Sequence, residues 1–299
     1  MKQEITREMV EMALILKEFS GKSEQNVEPQ KKSKLRKAFK HVYCGSYVSN
    51  VIECVSSRQY WDDIIKGKGG ELSNTIGYAP KFNSITSSTA LAVNSFAPWK
   101  DELHELKIET RDRVFSKYDY LEFEYITQTK NRSYPNLDVC LQNEIEVLAI
   151  ECKFCEFLNN NSYTKLQKSY HDMIKREGYS GKWIDAIHKV INSRGQGIYK
   201  YFDVVQVIKH YFGVINTDKS EKHLLYLYWH PENQNWNKIH PYDVLESELD
   251  EFSKIVLGAG DVQFHYMSFN DLWNQWESKH KEHVLQLREK YSVTLNQSY

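Results

Sequence analysis

Asp138, Glu151 and Lys153 are two carboxylates and an ammonium at the spacing of a short β-hairpin. Segments 136–141 and 145–154 are rich in Val, Ile, Leu, Cys and Phe, which suit a pleated, half-buried backbone. The polar Gln142-Asn143-Glu144 between them predicts a hairpin loop. Side chains alternate faces along a strand. Ile150, Cys152 and Phe154 are therefore expected to enter a core, while Glu151 and Lys153 share the opposite face. Asp138, between Leu137 and Val139, falls on the neighbouring strand. Close carboxylates repel unless positive charge lies between them. A divalent cation meets that need, and hard oxygen ligands suit Mg²⁺, which binds through one or two carboxylates plus a substrate phosphate. Mn²⁺ is the expected substitute. Such an ion acidifies water and steadies charge on a phosphoryl oxygen, and Lys153 would orient the water or offset charge on phosphorus. That chemistry is phosphodiester hydrolysis.

The bland alternative is an amphipathic hairpin with charges on its wet face. Acid-x-Lys also occurs at Glu105-Leu106-Lys107 and Glu277-Ser278-Lys279, so the tripeptide alone carries little. Only the copy at Glu151 follows an apolar strand with an acid on the strand before it.

The elements that must position these groups are legible in outline. Residues 3–19 carry an apolar helical stripe (Ile5, Met9, Met12, Ala13, Leu16, Phe19). The most basic stretch, 31–40, reads equally as a phosphate-contacting arm or a solvated helix face. Residues 41–58 are mixed, with helix slightly favoured, and Lys66-Gly67-Lys68-Gly69-Gly70 reads as a flexible basic loop. Residues 84–96 predict a helix capped by Ser87 or Ser88 and ended by Pro98, with Asn94 as a buried strut. The charged run 101–115 is helix-compatible. Residues 118–127 predict a strand with Leu121, Phe123 and Tyr125 on one face and Glu122, Glu124 and Ile126 on the other. Helices are expected over 163–177, 183–191 and 199–215. The last has Gln206, Lys209 and His210 on its polar side, which by itself reads as a solvated helix face. Strands follow at 223–229 and 262–269, and then a helix over 271–291 capped by Asn270.

Pro135…Asp138…Glu151-Cys152-Lys153 resembles the motif of the PD-(D/E)xK nuclease superfamily, which includes the restriction endonucleases. Here the proline stands three residues before the acid, as Pro-Asn-Leu-Asp, where the family pairs them directly. The stretches 81–99 and Phe123-Glu124-Tyr125 resemble a restriction-endonuclease-like branch, so the likeness covers about a third of the chain, roughly residues 60 to 160. The resemblance implies an α/β restriction-endonuclease-like core, a mixed β-sheet of about five strands flanked by helices. It implies Asp138, Glu151 and the backbone carbonyl of Cys152 as metal ligands, Lys153 at the water, and an upstream acid. Glu124 takes that last role, though Glu122 has the same parity. The resemblance also implies a helix carrying a Gln or Lys beside the site, and Gln206 is the residue to test there.

The expected organisation is a helical N-terminal region over 1–115 with DNA contacts, a nuclease core over 116–270 and a C-terminal helix over 271–299. That helix either docks on the body or pairs with a second copy as a homodimer. The reading is a Mg²⁺-dependent DNA endonuclease, in restriction or defence by analogy alone. The alternatives are a repair or recombination nuclease, or a nucleic-acid-binding protein that kept the fold and lost the chemistry. A net charge of −1 leaves DNA contact to local patches. Five cysteines, an odd number without a secretory signal, suit reduced thiols in a cytoplasm. The longest early apolar run, 12–16, is too short for a membrane span. Gly197-Ile198-Tyr199 and Tyr211-Phe212-Gly213 mimic the GIY-YIG nucleases, but that family needs strands where this chain predicts helix. Cys152-x-x-Cys155 lacks a second ligand pair at zinc spacing, and His280 and His283 lack a third ligand.

Overall fold

The segment carrying Glu151 forms the middle strand of the sheet. The computed structural model describes residues 5–20, 50–67, 70–73, 80–159, 166–192, 199–232 and 241–295. The basic stretch 31–40, residues 41–49 of the 41–58 segment, Lys68-Gly69, the start of the 163–177 helix and Gly197-Ile198 lie outside them.

In chain order the described residues form α1 (Arg7–Ser20), α2 (Trp61–Lys66), α3 (Ser88–Phe96), β1 (Lys107–Glu109), β2 (Val114–Ser116), β3 (Tyr120–Ile126), β4 (Asn136–Gln142) and β5 (Glu146–Lys153). Next come α4 (Lys168–Glu177), α5 (Lys182–Asn192), α6 (Val204–Val214) and β6 (Glu221–Tyr228). The chain closes with α7 (Tyr242–Val256), β7 (Gln263–Ser268), α8 (Phe269–Trp276) and α9 (Lys281–Tyr291). The main sheet has five strands in the order β3-β4-β5-β6-β7. β3, β4 and β5 pair antiparallel, and β5, β6 and β7 pair parallel. This is the mixed α/β architecture the sequence implies. β5 is buried at every position but its last, as a strand covered on both faces must be.

On one face, α3 lies against β4 and β5. Ser87 caps it, accepting from Ala90 N–H at 3.1 Å, and Thr89 to Phe96 are all buried. Asn94 is the expected strut: its Oδ1 accepts from Ile52 N–H, and its Nδ2 donates to the Asn50 carbonyl, both at 2.9 Å, and to Tyr291 Oη at 2.5 Å. Phe154 enters this face and meets the rings of Trp229 and Tyr291 edge-on. On the other face, α6 lies against β5 and β6. Asp203 caps it by accepting from Gln206 N–H at 3.1 Å.

Three expectations change for tertiary reasons. The run 101–115 forms a short 3-10 turn and the β1–β2 hairpin, with Ile108 opposite Phe115 and both buried. Gln275 brackets Glu109, accepting from its N–H at 2.8 Å and donating to its carbonyl at 2.7 Å, so a distant helix completes the strand's hydrogen bonds. The helix expected over 199–215 begins only at Val204, because Glu248 gathers the N–H groups of Lys200, Tyr201 and Phe202 at 2.5–2.9 Å. The helix expected over 271–291 is two, α8 and α9, and Ser268 rather than Asn270 caps the first, accepting from Asp271 N–H at 3.0 Å. The break lets Trp276 face Trp99 while Tyr291 reaches Phe154.

Tyr211-Phe212-Gly213 lies inside α6, away from any strand. Gly213 is there for clearance. A Cβ on it would stand 2.1 Å from Thr127 Oγ1 and 2.8 Å from Thr127 Cβ, where β3 leads toward β4. A helical glycine costs about 1 kcal/mol relative to alanine, and here it is the condition for docking α6.

Far from the Lys153 end of β5, His223 Nδ1 and His265 Nε2 pair at 3.2 Å, buried under Phe115. Burial, with Arg113 adding repulsion, lowers His223 to about 4; burial and then His223 lower His265 to about 4.

Two outcomes follow from this packing. Gly213→Ala should lose about 1–3 kcal/mol of stability through overpacking, read as a lower urea midpoint. Below about pH 6.5 the unfolded chain protonates both histidines, while the folded chain keeps them neutral until about pH 4. Their contribution is thus complete above the ordinary histidine range and lost as pH falls, at about 1.4 kcal/mol per pH unit for each. A urea series from pH 7 to 5 should show that slope, and His265→Phe should flatten it; an unchanged slope would refute the assignment.

Candidate active site

The site forms where β4 and β5 part. Their register ends with Val139 opposite Ile150. One residue further along β4, Asp138 Oδ2 accepts from the Cys152 backbone N–H at 2.6 Å. A side chain thus satisfies a donor of β5 at the end of the ladder.

Glu151 stands beside that contact, 3% exposed. Both its oxygens are engaged. Lys153 Nζ lies 2.6 Å from Oε1, and His210 Nε2 lies 2.6 Å from Oε2. Lys153 comes from the same strand and face, as alternation predicts. His210 comes from α6 and is fully buried. Gln206, the residue singled out on that helix, touches His210 Nε2 at 3.0 Å and meets Glu151 only through it. The sequence pointed to the right helix and to the wrong residue, one turn away. The signal it offered was a polar i, i+4 pair beside the apolar stripe, and nothing in it told a buried histidine from a solvated one.

Glu124 joins from β3. The pairs Phe123–Val139 and Tyr125–Leu137 leave Glu124 and Asp138 opposite one another. Its φ is +49°, a left-handed conformation that a non-glycine residue adopts at a cost of about 1–3 kcal/mol. Gly67, in the basic loop after α2, makes room for it: a Cβ there would be 2.5 Å from Glu124 Cβ. Thr89 Oγ1 donates to Glu124 Oε1 and Asn136 Nδ2 to Oε2, both at 3.2 Å. Glu122 faces Cys140, and the charges acting on it belong to Asp63, Lys66 and Lys100. Of the two acids of equal parity, Glu124 is therefore the one brought to Asp138 and Glu151. Glu71, which sequence reasoning missed, adds a further carboxylate that acts on Glu124.

Electrostatics separate the groups. Burial, with repulsion from Glu71, pushes the Glu124 carboxyl up to about 7. Burial and the charges of Glu151 and Glu124 raise Asp138 well above the ordinary range. Burial alone would raise Glu151 too, but Lys153 and His210 outweigh it and hold Glu151 at about 2. Burial alone would lower Lys153, yet Glu151 keeps the ammonium well above its ordinary value. Lys153 is thus held as a cation, and among the described residues neither Glu124 nor Asp138 forms an ion pair of its own, although Lys153 also acts on Asp138. Carboxylates on adjacent strands, short of positive charge, fit a hard divalent ion. Asp138, Glu151 and the Cys152 backbone would hold it, with Glu124 alongside. The Cys152 thiol is buried, and burial with Asp138 and Glu151 nearby pushes it well up.

Other clusters do not compete. Glu146, Glu221 and His223 lie close together, but Arg113 already bridges the two glutamates at 2.8 and 2.5 Å. Glu102, Glu105 and His280 form a group in which both acids are exposed. Cys152 and Cys155 are buried and free. His283 is a core residue whose Nε2 donates to the Asn94 carbonyl oxygen at 2.8 Å.

A five-stranded mixed sheet flanked by helices, with acids on three successive strands and a lysine on the third, defines a restriction-endonuclease-like protein. A family model described as Restriction Endonuclease associating with ARP matches residues 18–292, and the chain belongs to that family. No curated protein and no solved structure matches the chain. Among the described residues, no helix is long and apolar enough to cross a membrane.

Removing one partner of a buried ion pair leaves an uncompensated charge. His210→Ala should lower stability by about 3 kcal/mol at neutral pH, and adding Glu151→Gln should recover part of that loss. A double variant no more stable than His210→Ala would show that the loss comes from packing alone.

Proposed function

We propose that this protein is a Mg²⁺-dependent endonuclease of the PD-(D/E)xK type that hydrolyses DNA phosphodiester bonds in restriction or defence. The observation that carries this reading is the convergence of Asp138, Glu151 and Lys153 where β4 and β5 part, with Glu124 brought to Asp138 from β3. The family supports the nuclease class.

In this reading Asp138 and Glu151 bind the ion, helped by the Cys152 backbone carbonyl and with Glu124 completing the acidic wall. When bound, Mg²⁺, or Mn²⁺ in its place, would supply an acidified water and stabilisation of charge on the phosphoryl oxygens. Lys153 stays protonated, so it acts as a hydrogen-bond donor and a fixed charge. It orients the attacking water and offsets negative charge building on phosphorus. His210 holds Glu151 from the side opposite Lys153 and fixes the direction of its carboxylate. Thr89 and Asn136 do the same for Glu124.

One observation favours a second reading. Both Glu151 oxygens already have side-chain partners, the Lys153 ammonium and the His210 ring nitrogen, the arrangement expected of a nucleic-acid-binding protein that retained the fold with its acids turned to structure. For the metal reading to hold, Lys153 must yield Oε1 of Glu151 to the ion.

Supercoiled plasmid incubated with the protein and Mg²⁺ or Mn²⁺ separates the two. Nicking or linearisation is expected, with Glu151→Ala and Lys153→Ala each slower by about a hundredfold or more. Cutting by Lys153→Ala at the normal rate would remove Lys153 from the mechanism. DNA binding that needs no divalent ion, without cleavage of plasmid, single-stranded or methylated DNA, would favour the second reading.

A further inference from the structure

Tyr226 on β6 lies directly opposite Glu151 in the parallel register, so the two side chains leave the sheet on the same face. The residue is fully buried, and among the described residues its hydroxyl has no hydrogen-bond partner. An unpaired buried hydroxyl costs about 1–3 kcal/mol, so its retention asks for a reason. Phe202 packs edge-on against the Tyr226 ring at 5.3 Å between centroids, which brings the next residue, Asp203, to the same corner. After Glu151, the groups acting most strongly on the Lys153 ammonium are Tyr226 and Asp203.

These neighbours bear on a competition at Glu151. Its two oxygens are held by Lys153 and His210. A divalent cation binding Glu151 repels the Lys153 ammonium from Oε1. The Lys153 side chain is only 16% exposed, so losing its acceptor is costly and metal binding favours a second place for it. A phenol oxygen accepts hydrogen bonds and donates one.

We propose that the Tyr226 hydroxyl, backed by Asp203, is a second mooring for the Lys153 ammonium, taken up when a divalent cation claims Glu151. The hydroxyl accepts from Nζ and donates to the Asp203 carboxylate. Tyr226 is then a positioning residue that acts through Lys153. The inference rests on the metal site proposed above and deepens it.

The test is metal affinity without DNA. Mg²⁺ and Mn²⁺ are titrated by calorimetry into the full-length protein, Tyr226→Phe, Lys153→Met and the double variant. Tyr226→Phe is expected to bind either ion about tenfold more weakly, and to make no difference once Lys153 is Met. Metal-free Tyr226→Phe should be at least as stable in urea, since an unpaired hydroxyl has been removed. Asp203→Asn, which keeps a good helix cap, should weaken metal binding in the same direction and serves if the phenylalanine variant misfolds. Equal affinity in Tyr226→Phe and the unaltered protein overturns the mooring and leaves the metal site standing. The same weakening in the Lys153→Met background also overturns it. Failure of the unaltered protein to bind either ion overturns the metal reading, and the mooring with it.

Discussion

The charge on Glu151 is the constraint on which the rest of the structure depends. An ion taken out of water loses several kcal/mol of hydration even after relaxation, and Glu151 sits in the middle strand of a sheet covered on both faces. Its position is tolerable because an ammonium and an imidazole reach it from different parts of the chain. Lys153 arrives through the two-residue repeat of β5. His210 arrives only if α6 lies at the right height above the sheet. Gly213 permits that close approach, the Asp203 cap sets where the helix starts, and Glu248 holds the preceding backbone out of the helix. A stability problem at one carboxylate thus dictates the docking of an element more than fifty residues away.

The same local charge makes the site chemically useful. Glu151 is satisfied, while Asp138 and Glu124 are held near it without comparable partners, and their carboxyls are pushed up as a result. The acids stand on adjacent strands, so the sheet fixes their proximity. Glu124 occupies a left-handed backbone conformation to join the row, with Gly67 cleared from its path. Strain of that kind persists only where the surroundings enforce it, and it gathers at functional positions.

The opposite end of the same strands shows what happens when the charge is balanced. Glu146 at the start of β5 and Glu221 at the start of β6 lie close together, but Arg113 lies between them and Tyr118 donates to Glu146. Beside them, His223 and His265 stay neutral in a dry pocket. That end is a structural clasp. The difference between clasp and candidate site is one arginine, supplied by the β1–β2 hairpin.

Periodicity made part of this legible. The alternation of 136–141 and 145–154 placed Glu151 and Lys153 on one face and Asp138 on the next strand, and Ser87 and Asn94 carried their roles in their local surroundings. His210, Glu71, Tyr226 and the β1–β2 hairpin were not legible, because their partners lie far along the chain: Glu151 for His210, Gln275 for Glu109. Where the sequence expected one helix over 271–291, core contacts at Trp276 and Tyr291 imposed two. The sequence by itself determined the strands, their inward faces and the acid-and-lysine pattern, since these depend on hydrophobic alternation within a few residues. Only the tertiary structure decided which acid joined them, which histidine neutralised Glu151 and where the helices began and broke, since burial and charge balance are settled between surfaces that meet only in the folded chain.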